Sequence, residues 1–551
     1  MNSISAASHR EAPKRDASRL GTGPESGVSD LGARTRFVVL TVCSVIALLS
    51  AICPAEVRLP AIIGDNMVLQ AGGRACLWGW ADPNEEISVT VSWRQVDWTI
   101  QADDTGKWIF QMTAPETGGP HEITFKGKNT VTVKNILVGE VWICSGQSNM
   151  EMAVRSSANA KQETAAATES QIRLFTVDRK VAEQPQNNCT GKWVTCSPET
   201  VGDFSAVGYF FGRELHKELK QPVGLIHTSW GGTPAEAWTS PAALQENPSL
   251  EPILTRYKEA LAAYPKAIVK YKEDLAKWQE AAKQAKTDGK PTPPRPGAPL
   301  GPDNPNSPSG LYNAMIAPLI PYTIRGAIWY QGESNAGRAY QYRDLFPTMI
   351  KSWWNAWGQE GQSDFPFLFV QLANFMAVKE EPGESSWAEL REAQLMTLEM
   401  PNTGMAVIID IGDAKDIHPK NKQDVGKRLA LWALANTYGK DVVYSGPLYK
   451  SMEKKDNKII LSFDHIGDGL VAQGGGPLKG FAVAGADRKF VWADAKIEGG
   501  KIVVSSDKIA DPVAVRYAWA DNPVCNLYNK AGLPASPFRT DTWPGVTAGS
   551  K

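Results

Sequence analysis

From residue 136 to residue 438 the chain alternates short apolar runs with amphipathic segments, and that grammar leaves few folds open. The runs at 136–144, 223–228, 326–330, 365–371 and 404–410 read as buried strands. Between them, 204–219, 340–357, 387–400 and 422–438 carry apolar residues at helical spacing. Strands separated by helices are joined by crossovers rather than hairpins, which makes a largely parallel, doubly wound sheet with helices on its faces the expectation. In such a sheet the ligand cleft opens at the carboxyl ends of the strands.

The flanks are written differently. Residues 56–135 spell short alternating strands, such as 87–91, 98–100 and 131–133, broken by Gly, Pro, Asn and Asp, so a small β-sandwich-like domain is expected. Residues 441–551 return to that pattern at 458–463, 479–483, 501–505 and 513–519, giving a C-terminal β region. The α/β domain then occupies 136–440, interrupted by an insertion at 248–308. Its first part, rich in Ala, Lys and Glu at helical period, runs into KPTPPRPGAPLGPDNPNSP, which cannot be helical, so a helical hairpin or lid ending in an extended loop is expected.

Residues 1–55 form a polar leader in which Arg34 and Arg36 precede an apolar run at 37–53 and small residues around Cys53-Pro54-Ala55. This is the arrangement of an export signal, with a retained N-terminal anchor as the alternative because 17 apolar residues are at the lower limit for a bilayer span. An oxidising compartment makes a small disulfide between Cys189 and Cys196 the expectation, with Cys144 a buried thiol inside its strand. Fifty-eight Lys+Arg against 59 Asp+Glu give a net charge of -1, so no global basic field draws the chain to nucleic acid or anionic lipid.

Four loops at strand ends carry the polar residues. GEVWICSGQSNMEM places Ser148 between a buried strand and a helix start, where N–H groups face the cleft. GLIHTSWGGTPAEAW ends in Gly231 and Gly232, which let backbone approach a ligand. AIWYQGESNAGRAY delivers Gln331, Glu333, Ser334 and Asn335 to the same sheet edge, the amides being natural oxyanion donors and Glu333 a structural acceptor, with an acid or base role as the alternative. DIGDAKDIHPKNKQDVG supplies Asp410, Asp413, Asp416 and His418. Of six histidines, His418 has the best placement for a base, and His227 is a weaker candidate. Ser148, His418 and a nearby Asp, gathered from separate loops, make a nucleophile, base and orienter.

GQSNM, WGGTPAEAW, WYQGESN and DIHPKNKQ, in this order, resemble the sialate O-acetylesterase family of the SGNH hydrolase superfamily and its bacterial carbohydrate-esterase relatives, over roughly residues 60–540. The resemblance implies a three-layer α/β/α hydrolase domain with no metal or cofactor, acting on an O-acetylated sugar or glycan. It implies Ser148 as nucleophile and His418 as general base. The N–H groups of Ser148 and Gly232, with a third-motif side chain for which Gln331 is the choice, would form the oxyanion hole. SGLYNAMIAPL, with Asn313, looks like a family element lining the site, and Trp230, Glu333 and Asn335 complete the expected substrate-facing set. The superfamily places its orienting Asp three residues before the His, where this chain has Lys415; Asp416 is chosen over Asp413. Arg155 or Arg338 is the expected receiver for a sialic acid carboxylate. Acetylxylan or another acetylated polysaccharide is the rival substrate. The rival classes are a non-catalytic carbohydrate-binding protein and a metal-dependent hydrolase built on the three Asp residues and His418.

Overall fold

A computed structural model describes residues 56–358 and 364–550; the leader, with its expected signal or anchor, lies outside the described residues. The fold is mixed α/β with flanking β regions. Seven strands form its central sheet: β1 (Thr130–Gly146), β2 (Ile172–Thr176), β3 (Trp193–Thr195), β4 (Val223–Ser229), β5 (Gly326–Tyr330), β6 (Phe367–Val370) and β7 (Thr403–Ala406). Their order is β7-β6-β5-β1-β4-β2-β3, parallel throughout except for β3, which runs antiparallel to β2. The five expected strands are all present. β2 and β3 were missed because their runs are short and interrupted by charge, Arg173 in one and the polar Lys192 flank of the other.

Alternation along each strand sends side chains to two opposite cores. Trp142, Cys144, Leu225, Ile328 and Leu368 face helices α2 (Ala206–Leu219) and α6 (Lys422–Asn436). Val141, Ile143, Ile226, Trp329 and Phe369 face α4 (Ala339–Gly358) and α5 (Ser386–Met396), where Trp329 meets Phe346 and Trp353. Side-chain caps from Ser205, Ser385 and Asn421 start α2, α5 and α6, each cap being worth about 1 kcal/mol. Two further helices bear on the site: α1 (Ser148–Glu151), a single turn, and α3 (Glu251–Thr287).

β1 has a second role. Its first half pairs antiparallel with Gly118–Lys126 of the N-terminal β region, and its second half is the middle of the parallel sheet, so one continuous strand crosses residue 135/136. The C-terminal region forms two four-stranded antiparallel sheets. Arg391, fully buried on α5, ties this region in by donating to the carbonyls of Leu372, Ala373, Ala520 and Asp521.

The insertion differs from expectation. In place of a hairpin, α3 is one 37-residue helix that continues through Pro265, because nothing between 251 and 287 supplies a turn. The Pro-rich stretch folds back along it: Trp278 donates to the Pro293 carbonyl at 2.8 Å, Arg295 lies over the Trp278 ring, and Gly301 abuts Tyr264. Cys189 and Cys196 are both free thiols, contrary to the expected disulfide. They join cores on opposite sides of the sheet, with β3 extended between them. Cys144 is a buried thiol, its pKa pushed well up by burial. No helix among the described residues is long and apolar enough to cross a membrane.

Candidate active site

Gly146 pairs with Ser229 on one side and Tyr330 on the other, so β1, β4 and β5 end at one level and release three of the four motifs side by side. Gly146 sits at φ +141, and a Cβ there would lie 2.2 Å from the Tyr330 carbonyl oxygen, which is why the strand can end only on glycine. Ser148 follows at the start of α1. With only one turn, α1 offers little macrodipole; what it offers is a free N–H.

The fourth motif arrives from the loop after β7. His418 Nε2 is 2.9 Å from Ser148 Oγ. Asp416 Oδ1 accepts the His418 backbone N–H at 2.9 Å and lies 3.2 Å from its Nδ1. The Asp416 carboxyl is held below the usual carboxylate range, first by that backbone N–H and then by Lys420, 3.1 Å from its other oxygen. The other acids have separate employment. Asp413 accepts the N–H groups of Lys415 and Asp416, and Asp410 forms a two-pronged pair with Arg428. His227 is buried edge-on to Phe204, with Nε2 2.5 Å from Ser229 Oγ, and burial pushes its pKa down to about 4.

The Gly231-Gly232 turn lies against Ser148: a Cβ on Gly231 would be 3.2 Å from that of Ser148. Glu151 Oε2 accepts the Gly231 N–H at 2.5 Å and Arg179 pairs with the same carboxylate, while Thr233 Oγ1 closes the turn on the Trp230 carbonyl. Gly232, at φ +77, has a backbone N–H with no acceptor among the described residues, as does Ser148. Trp230 is half-buried beneath the Arg179 guanidinium, 5.7 Å from its ring.

The third motif corrects the expectation. Gln331 is fully buried, and its amide group donates to the Thr233 carbonyl and to Asn335 Oδ1 while its oxygen accepts from Tyr342. Both amide hydrogens are spent inside the protein, so Gln331 is no oxyanion donor. Asn335 is likewise interior: Nδ2 donates to Glu236, and Oδ1 accepts from Ala235 and Gln331. Asn313 is buried, bracing the 182–186 loop through the Ala182 carbonyl and the Gln186 N–H. Both were expected to face substrate; Asn335 is turned inward with its amide satisfied, whereas Asn313 is buried with its Oδ1 unpartnered. The two expected carboxylate receivers are also taken, Arg155 by Asp203 and Arg338 by Glu236. The amide motifs gave no signal of this, because spacing along a loop does not say which way a side chain turns.

Behind Ser148 lies a buried polar group of which the sequence announced only Glu333, as a structural acceptor; that residue was also expected to face substrate, and its carboxyl is instead buried here. Asn149 donates to Glu333 at 2.6 Å and to the Ile417 carbonyl at 3.1 Å, and it accepts from Lys422 at 2.5 Å. Burial lowers the Lys422 pKa to about 7 and raises that of Glu333, which Asn149 and Lys422 partly oppose. Two clefts open nearby. One, of about 460 Å³, is bounded by Glu151, Arg155, Arg179 and Ser229. The other, of about 370 Å³, is bounded by Gly232, Ser334 and residues of α3 and the strap behind it.

Residues 138–286 and 304–435 match the family model described as carbohydrate esterase, sialic acid-specific acetylesterase. The chain is 31% identical to the sialate O-acetylesterase of Mus musculus, over 87% of this chain and 94% of that one. It is also 31% identical to that of Homo sapiens, over 89% and 94%. A solved carbohydrate acetylesterase from Xanthomonas citri is 40% identical, with a TM-score of 0.75 over 88% of this chain and all of that one.

Proposed function

The chain belongs to the sialic acid-specific acetylesterase family of carbohydrate esterases, and from that premise we propose that it removes O-acetyl groups from a sugar through a Ser148-His418-Asp416 acyl-enzyme mechanism on an exported, three-layer SGNH-type scaffold. As a carboxylic ester hydrolase it needs a nucleophile, a base and a home for negative charge. The observation that carries the assignment is the 2.9 Å approach of His418 Nε2 to Ser148 Oγ, made by two loops 270 residues apart.

In this reading His418 Nε2 accepts the hydroxyl proton as Ser148 Oγ bonds to the acetyl carbon. The carbonyl oxygen, now negative, is received by the unoccupied N–H groups of Ser148 and Gly232, each such donor contributing about 3 kcal/mol to the transition state. Collapse breaks the bond to the sugar oxygen, which leaves with the proton from His418, and acetyl-Ser148 remains. Water then attacks this ester, giving its proton to His418; Ser148 departs reprotonated and acetate is released. Asp416 accepts from Nδ1 and so keeps the lone pair of Nε2 aimed at Ser148. Export would rest on the leader at 1–55.

The test is acetate release by the whole chain from para-nitrophenyl acetate, O-acetyl sialic acid and acetylated xylan. Ser148→Ala and His418→Ala should each lower turnover by at least about 10³-fold while leaving the melting temperature within a few degrees. Near-native release by Ser148→Ala would overturn the assignment, and the two sugar esters decide between sialate and polysaccharide.

A further inference from the structure

The N-terminal β region and the α/β domain meet at a pocket of about 450 Å³ that the reaction above does not use. Its floor follows from strand register. Arg74–Trp80 pairs antiparallel with Lys107–Thr113, which sets Trp78 opposite Ile109 and Trp80 opposite Lys107. Opposed residues share a face, as do residues two apart on one strand, so these four side chains stand on one side of the pair. Trp78 is buried and meets Tyr322 edge to face, whereas Trp80 is half-buried and Ile109 is 50% exposed. Ile320 and Pro321 form the facing wall. The Trp80 indole N–H has no acceptor among the described residues.

The rim is polar, and what it offers is mostly acceptors. Gln101 donates its amide to the Asn84 carbonyl and Gln186 donates to that of Gln184, so neither side-chain oxygen is used by these bonds. Asp103 spends one oxygen on Thr105 and on the Lys107 N–H and keeps the other. The Asn187 side chain has no partner among the described residues. Asp103 and Lys107 are the charged members of the lining, and they leave it with no net charge. A pyranose ring carries the complementary pattern, with apolar C–H faces for an indole and a rim of hydroxyls that donate to carboxylate and amide oxygens. An anionic ligand would meet an acceptor-rich rim without a net positive charge, and an apolar peptide would leave the rim oxygens unsatisfied. The volume lies within the range of small-ligand sites, which favour domain interfaces.

We propose that this pocket is a second carbohydrate site, which holds an uncharged pyranose of a glycan chain over Trp80 away from the point of cleavage. Ile320 and Pro321 lead into the amino end of β5, whereas Ser148 follows the carboxyl end of β1, its parallel neighbour, and no residue around Ser148 lines the pocket. A chain held at Trp80 keeps its acetyl esters at raised local concentration near the catalytic cleft, an advantage that a small ester cannot share. Such a site goes beyond the esterase reading and does not depend on it, because binding can be read on unacetylated chains.

The test is calorimetric binding of cellohexaose, xylohexaose, an oligomer of N-acetyllactosamine and hexagalacturonate to the whole chain. At least one neutral oligosaccharide should bind, more tightly than hexagalacturonate, and the tightest of them names the glycan. Trp80→Ala should weaken it by about 10-fold or more, the weight of one stacked ring, and Trp80→Phe should stay within about 3-fold of wild type. Asn187→Ala, at an exposed position whose loss cannot unfold the protein, should weaken it by about 3–10-fold. Turnover of para-nitrophenyl acetate should stay within about 2-fold in all three variants, while kcat/KM on the acetylated form of the bound glycan falls with the affinity. Failure of every neutral probe to bind, tighter binding of hexagalacturonate, or binding that ignores Trp80→Ala would overturn the proposal. So would self-association of the chain that Trp80→Ala abolishes, since the face would then serve a second copy. If para-nitrophenyl acetate is not cleaved, the esterase reading fails, and glycan binding lost on Trp80→Ala still supports the site.

Discussion

Asp416→Asn isolates the electrostatic part of the proposed triad. Asparagine keeps an oxygen for the His418 N–H, so the loop should hold its shape while the charge beside the imidazole is lost. In the transition state that ring is a cation 3.2 Å from Asp416 Oδ1. The side chains of His418 and Asp416 are 36% and 41% exposed, which puts the pair in a medium near water. With an effective dielectric constant of about 40–80, Coulomb's law gives about 1.3–2.6 kcal/mol, or about 10–80-fold in rate. A buried orienting Asp in a serine protease is worth about 10⁴-fold, so this one should matter far less. The Asp416 carboxyl lies below the usual range, so it is ionised wherever an imidazole is neutral, and its protonation contributes nothing in the assay. The measurement is kcat/KM for para-nitrophenyl acetate at pH 8, at low and high salt. The deficit should shrink with salt, because an exposed pair is screened. A 10⁴-fold loss would refute the solvated reading of the pair, and an unchanged rate would mean that His418 is oriented without Asp416.

Three other perturbations test the supports. Glu151→Ala removes the charged acceptor of the Gly231 N–H and should lower kcat by about 10–100-fold with little change in KM, while Glu151→Gln keeps most of the activity; a pure KM effect would exclude a role for this turn in the oxyanion hole. Lys422 has a pKa of about 7 in the fold against about 10.5 in the unfolded chain, so the unfolded state binds more protons between these values and this residue's contribution makes stability rise with pH there. Urea midpoints at pH 7 and 9.5 should therefore move in favour of wild type over Lys422→Met as pH rises, and a shift in the opposite sense would contradict the buried-cation assignment. Arg391→Met strands the four carbonyls that this side chain serves and should cost about 3–5 kcal/mol in urea unfolding; a loss under 1 kcal/mol would mean that they find water.

The sheet was readable because hydrophobic runs at strand length leave a signal in the chain itself. All five expected strands and four helices are where periodicity put them, with ends shifted by a few residues as caps at Ser205 and Asn421 dictate. The places of Ser148 and Gly232 at the sheet edge were legible for a related reason: each lies two or three residues past a strand end, so position along the chain nearly fixes position in space. Gln331 and Asn335 were misread because orientation depends on partners such as Tyr342 and Glu236 that no local pattern encodes. The expected helical hairpin is instead a single helix: periodicity marks helical residues without marking a turn between them, and Pro265 does not break the run.

The buried amides explain how so short an element as α1 can hold Ser148 in place. A single turn cannot hold its own conformation, because nucleation costs more than one hydrogen bond returns. Ser148 is instead fixed from behind and from both sides. The Gln147 N–H is bound to the Tyr330 carbonyl, the Met150 carbonyl accepts from Ser205, and Asn149 joins Glu333, Lys422 and the Ile417 carbonyl. Ile417 immediately precedes His418, so Asn149 ties the Ser148 turn to the His418 loop through one side chain. The 2.9 Å between Ser148 and His418 is then a property of the interior, set before substrate arrives, and the half-exposed Asp416 is left only the ring's orientation to control. That division of labour is why the orienting acid can tolerate solvent here: the distance it would otherwise have to enforce is already enforced by Asn149.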